Sequence, residues 1–312
     1  MYNSNYLNSQ YSLKKLMGSD QLKHIKENIK KSGFPLELFV SSKISKYNFP
    51  QTGEYFFDPS ENTHRSVDFF VPHFAADDSK MGLSSNLVIE CKKSERDAWV
   101  FFELNDVVLQ PHHSGQWIDY EDYLSGNYQK SNLMWKYDWN LNLHYHAALR
   151  TKRSRQFYVV KKGNKNTNND EVKDSIFEAL NQILKFIEYR TKKAEQNIAN
   201  TSLNQTMHPI FTIYYPIIVF DGFLVNAFLD NNEELQVEEK KHVILSYDYQ
   251  PDYCDNPQTF YIDIVKKEYL EEFLKDLEDE STMINKHLEK NREEFMEHCK
   301  SIQLTNPRTW SA

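Results

Sequence analysis

Four residues set the chemical question. Asp68 lies in SVDFFV, and Glu90 and Lys92 lie in LVIECKKS, a run that begins apolar and ends in charge. Residues i and i+2 of a strand share a face. Glu90 and Lys92 therefore project together, while Ile89 and Cys91 turn to the opposite layer. If the two segments pair as a hairpin, Asp68 comes beside Glu90, and two carboxylates and a lysine meet at one strand end. Neighbouring carboxylates repel, which raises the proton affinity of one unless a cation is present. A hard divalent cation such as Mg²⁺, with Mn²⁺ as a substitute, prefers such oxygen ligands and keeps waters of its own. It would lower the pKa of a bound water and clamp a phosphate oxygen, and the lysine would orient that water and offset charge at phosphorus. The fourth residue, Glu37, sits early in a helix and could complete the acidic cluster.

The elements that must position these groups are legible in outline. A Ser/Asp start, apolar Leu22, Ile25 and Ile29, and the stop at Gly33 predict a helix over 19–31. Pro35 suits the first position of a second helix, reaching about Tyr47, with Leu36, Val40, Ile44 and Tyr47 at helical spacing and Glu37 bordering their face. Strands are expected at 54–58, 66–74, 86–92 and 99–104, with a polar loop over 75–85. Segment 105–150 reads as loops and short helices, 155–163 as a strand, and 171–197 as the strongest amphipathic helix. In IFTIYYPIIVFDGFLVNAFL (210–229), Asp221-Gly222 reads as a tight hairpin turn. With Pro216, that turn argues against a membrane span, because an acid would otherwise lie in lipid. Strands at 242–248 and 259–265 and a charged helix from about 267 to 300 follow. This order suggests α/β or α+β layers.

The order Glu37, Asp68, Glu90-Cys91-Lys92 resembles the PD-(D/E)XK nuclease superfamily, the restriction-endonuclease-like fold. The likeness extends to SGFPLE (32–37), RSVDFFV (65–71), LVIECKKS (87–94) and WVFFE (99–103), and to YPIIVFDG (215–222) and FYIDIVKKEYLEEFL (260–274). These look like one group of stand-alone bacterial members. One departure is Val67, which precedes Asp68 where the family pattern has Pro. The resemblance implies a four-stranded mixed sheet flanked by helices, the helix at 171–190 packing on it. It implies one domain over 1–312, with a core at about 19–104 and 155–275, an aromatic- and His-rich insertion at about 105–154, and extra C-terminal strands and a helix at about 267–300. It further implies that Asp68 and Glu90 hold Mg²⁺, that Lys92 acts on the attacking water, and that Glu37 is an accessory acid. The activity implied is metal-dependent hydrolysis of phosphodiester bonds, of DNA before RNA, in defence against foreign DNA or in repair.

Composition narrows the alternatives. The chain has 312 residues and a formal net charge of −8, which argues against coating nucleic acid by bulk electrostatics yet leaves room for a local basic groove. Cys91, Cys254 and Cys299 form no CxxC pair, so a disulfide framework or thiolate zinc site is not expected, and a reducing cytoplasm is. Arg150, Lys152, Arg153 and Arg155 belong to the densest basic stretch, a candidate track for a phosphate backbone; a solvated strand edge explains it nearly as well. Lys43, Lys93 and Arg96 lie nearer the acids. His112-His113 and His144/His146 lack acidic or thiolate partners at fixed spacing and read as ordinary histidines. Rival functions are a non-cleaving module that holds nucleic acid or a partner, and an effector nuclease latent until bound. Candidate partners are DNA, a protein engaging 105–154, and a second copy of the chain, although no heptad or self-complementary face is legible.

Overall fold

The computed structural model describes residues 19–47, 50–74, 82–103, 118–122, 127–130, 153–161, 170–200, 210–250, 258–290 and 293. Two helices, α1 (Ser19–Lys31) and α2 (Phe34–Ile44), precede a meander of β1 (Gln51–Asp58), β2 (Thr63–Val71) and β3 (Gly82–Glu103). A small hairpin, β4 (Ile118–Asp122) and β5 (Asn127–Lys130), and strand β6 (Ser154–Lys161) lead to α3 (Asp170–Asn200). The chain then runs through β7 (Ile210–Leu229), β8 (Leu235–Glu239), β9 (His242–Tyr249) and β10 (Gln258–Lys266). A 3₁₀ turn at Lys267–Tyr269 opens into α4 (Leu270–Lys290).

The architecture is mixed α+β, and one ten-stranded sheet dominates it. The antiparallel meander β1-β2-β3 continues into β7, which lies parallel to β3, and β7 into parallel β10. Helix α3 is the crossover between β3 and β7, as parallel pairing demands. A five-strand ring closes through β3, β6, β9, β10 and β7, its β6–β9 link being the single bridge Ser154↔Leu245.

Alternation along the strands divides the core into two layers. Leu87 and Ile89 of β3, with Ile217 and Val219 of β7, pack under α2 and α4. Val88, Ile218 and Phe220 pack under α3, whose Ile176, Leu180, Ile183, Leu184 and Ile187 are fully buried as their spacing predicts. Leu36, Val40 and Ile44 anchor α2 in the first layer. The apolar residues of α1 behave otherwise: Leu22, Ile25 and Ile29 remain exposed.

Several expectations need correction, first the sheet itself, which has ten strands and not the four that the resemblance implies. Residues 86–92 and 99–103 lie in one strand, β3, whose polar stretch Ser94–Asp97 is a bulge in its pairing with β7 and not a connection. Residues 210–229 are likewise one strand, and Asp221-Gly222 is no turn. Gly222 is needed there because a Cβ would lie 2.5 Å from the Phe220 ring and 2.7 Å from the Ser94 carbonyl oxygen. Pro216 is tolerated because it falls between the β4 pairing, which ends at Ile213, and the β10 pairing, which begins at Ile217. The described parts of 105–150 are the β4–β5 hairpin, and the C-terminal helix covers Leu270–Lys290. Its stretch beyond 290 lies outside the described residues, apart from Glu293.

Candidate active site

Asp68 and Glu90 meet where the β2–β3 ladder ends. Pairing covers Val71↔Leu87, Phe70↔Val88 and Phe69↔Ile89, and one further step sets Asp68 opposite Glu90. There the paired register stops. The Cys91 N–H donates instead to Asp68 Oδ2 at 2.7 Å, a carboxylate taking the place of a ladder carbonyl. The β1–β2 ladder also steps over Asp68, opposite Gly53, which adopts φ +60°. This irregularity breaks the period of two: Val67 packs toward α3, whereas Phe69 and Val71 pack toward α2. Strict alternation would put Val67, Phe69 and Val71 on one face, and it fails at Asp68 itself.

Glu90 is 2% exposed, and its Oε1 has no hydrogen-bond partner. Its Oε2 lies 3.6 Å from Lys92 Nζ, an ion pair longer than a hydrogen bond. Burial raises its proton affinity well above the ordinary carboxylate value, the Asp68 charge raises it further, and Lys92 opposes both. Burial also lifts Asp68, against the Cys91 N–H and Lys92. Glu37, in the first turn of α2, is lifted by burial and then by the Asp68 charge, and lowered by Lys92. All four residues thus lie in one electrostatic field. The Cys91 thiol is pushed up by burial and by the acids Asp68, Glu90 and Glu37, which keeps it protonated.

The basic candidates divide differently. Lys43 bonds Glu271 of α4 at 2.6 Å. Lys93 donates to the Lys30 carbonyl at the end of α1 and lies 2.9 Å from Glu95. Arg153 stacks on Tyr261 with its guanidinium 4.9 Å from the ring centre and donates to that hydroxyl, while Arg155 is exposed. The Arg96 side chain, Arg150, Lys152 and the four histidines lie outside the described residues.

Sequence reasoning missed a second charged cluster, on the α3 face. Lys185 donates to Asp58 Oδ2 at 2.6 Å, to Glu61 at 2.9 Å and to Ser60 Oγ at 3.0 Å, and Arg65 Nε donates to Asp58 at 2.7 Å. Burial opposes ionisation of Asp58, but the hydrogen bonds from Lys185, Ser60 and Arg65 outweigh it and hold the carboxyl well below its usual range. No spacing signal joins Lys185 to the β1–β2 turn, so only the packing of α3 reveals the cluster. Its carboxylates and cations satisfy one another, as in a structural brace.

Among the described residues, no three His, Cys, Asp or Glu side chains form a ready metal-ligand set. Yet the Asp68–Glu90 pair fits a hard divalent cation on two grounds. Its donors are carboxylate oxygens, and one of them is buried without a partner, a costly state that a cation would relieve. No family model, curated protein or solved structure matches the chain.

Proposed function

We propose that the protein is a Mg²⁺-dependent nuclease that hydrolyses phosphodiester bonds, with DNA as substrate. The observation that carries this reading is the buried, partnerless Glu90 oxygen opposite Asp68, with Lys92 beside it. The fold supports it in part: the sheet is mixed and carries helices on both faces, as the resemblance to restriction-endonuclease-like nucleases implies, but it has ten strands and closes a five-strand ring.

In this reading Asp68 and Glu90 hold the cation, which supplies an acidified water and a counter-charge for phosphate when bound. Asp68 is fixed for the task by the Cys91 N–H, so its carboxylate needs no rearrangement. Lys92 orients the water whose oxygen attacks phosphorus, and its ammonium offsets the charge that gathers on the phosphoryl oxygens. The new P–O bond replaces the bond to the leaving sugar oxygen; the water gives up a proton and the leaving oxygen takes one. Glu37, at the rim of the cluster, adds an acid that stays protonated longer than an ordinary surface carboxylate.

Plasmid DNA incubated with the protein, in Mg²⁺ and in EDTA, tests the reading. Cleavage should require Mg²⁺ and disappear in Asp68→Ala. Undiminished cleavage by that variant, or none by the wild type with any divalent metal, would remove the assignment.

A further inference from the structure

We propose that β8 is a self-recognition edge, through which two copies of the chain pair into one antiparallel sheet. Among the described residues, β8 pairs with β7 alone. No other described strand covers its outer edge, whose main-chain N–H and C=O groups are a template for another strand. The strand also carries apolar residues into water: Leu235 is 63% exposed and Val237 62%. Leu229 stands opposite Leu235 and Ala227 opposite Val237, so these side chains share one face of the ribbon.

Both ends of the edge are pinned. The Asp230 carboxylate accepts the N–H groups of Asn232 and Glu234 and the Gln236 amide, and the Asp230 N–H donates to the Glu234 carbonyl. At the far end, the Lys240 N–H donates to the Leu224 carbonyl at 2.9 Å. A strand already held extended gives up little conformational freedom on pairing.

The occupant follows from charge and register. A two-fold axis perpendicular to the sheet keeps the apolar faces of both copies on one side, which requires the axis to pass through a residue. Centred on Val237, the pairing sets Val237 against itself, Gln236 against Glu238 and Leu235 against Glu239. Beyond the strand ends, in the turn holding Glu233 (φ +64°) and the bend at Lys241, it brings the acidic pair Glu233 and Glu234 alongside Lys240 and Lys241 of the other copy, at both ends. Centring on Gln236 would set Glu234 against Glu238, and centring on Glu238 would set that acid against itself. Only the Val237 register joins the apolar faces while matching opposite charges. Lys240 is held by Glu238 of its own chain and Lys241 lies over the Tyr269 ring, so both ammonium groups stay at the β8–β9 corner where the pairing needs them. The inference stands on the strand edge and is independent of the nuclease reading.

Sedimentation velocity of the full chain, over about 1–100 μM, tests it. The wild type should form a dimer. Val237→Lys, which opposes two cations at the axis, should raise the dimer dissociation constant at least about tenfold. Glu233→Lys/Glu234→Lys and Lys240→Glu/Lys241→Glu should each be monomeric alone, and an equimolar mixture should restore the dimer, because every end pair is then opposite in charge. That rescue separates the specific register from damage to the fold. A monomeric wild type throughout the range, variants that dimerise unchanged, or a mixture that stays monomeric would each overturn the proposal.

Discussion

Replacing Glu90 by Gln removes one charge from the most buried acid of the cluster and leaves its shape. An unpartnered buried polar group costs about 1–3 kcal/mol, and more when charged. In metal-free buffer near neutral pH, the variant keeps a polar side chain but buries no charge, so it should melt higher than the wild type, by about 2–4 °C per kcal/mol relieved. The sign of the pH dependence follows from the raised proton affinity of Glu90 above its ordinary value of 4.5. The folded chain holds that proton more tightly than the unfolded one. The contribution to stability is therefore whole below about pH 4.5 and is lost as pH rises through the folded-state value. Metal-free wild type should lose stability relative to Glu90→Gln as the pH is raised from about 4.5 toward neutrality. Mg²⁺ at about 100 times its dissociation constant should return about 2.7 kcal/mol to the wild type and far less to the variant. Differential scanning fluorimetry at the two pH values, with Mg²⁺ and with EDTA, reads all of this. A variant less stable than wild type without metal, or one that gains equally from Mg²⁺, would refute the argument that Glu90 is a buried acid awaiting a cation.

The remaining predictions concern residues with other duties. Lys92→Met should slow plasmid cleavage about 10²–10⁴-fold while keeping the Mg²⁺-induced rise in melting temperature, since the lysine serves the water and not the cation. Asp58→Ala should destabilise the fold by about 1–3 kcal/mol in urea at neutral pH, because Lys185 and Arg65 lose a shared buried partner. Asp58 has a depressed folded-state pKa, so its contribution is present above its ordinary value of 3.8 and is lost as pH falls through the folded-state value; the gap between variant and wild type should narrow in acid. Gly222→Ala should cost about 1–3 kcal/mol in the same assay, because neither the Ser94 carbonyl nor the packed Phe220 ring can give way freely.

The acid pair was legible because a period of two carries Glu90 and Lys92 to one side and a hairpin register carries Asp68 to them. The buried stripe of α3 was legible for the same kind of reason, since Ile176, Leu180, Ile183, Leu184 and Ile187 repeat at the helical period. What stayed hidden depends on contacts between distant segments. Ser94–Asp97 has the composition of a loop, and only the neighbouring β7 keeps it within a strand. Asp221-Gly222 has the composition of a turn, but the glycine answers a close approach from β3. Lys43 and Lys93 read as the cations nearer the acids, yet Glu271 and the end of α1 engage them. The irregularity at Asp68 is also invisible locally, because it arises from the left-handed Gly53 on the neighbouring strand.

The pairing of β3 with β7 has a consequence for how the chain is made. The two strands bond along nearly their whole length, although the middle third of the sequence separates them. On a ribosome, α1 through β3 emerges first, and the antiparallel meander can form from neighbouring segments alone. The far edge of β3, with its apolar Leu87, Val88 and Ile89, then waits without a partner until β7 has been synthesised. Pairings between distant segments form slowly, and an apolar strand edge held open during translation invites association with other nascent chains. The interval between synthesis of β3 and of β7 is therefore the stage at which that edge is most open to association.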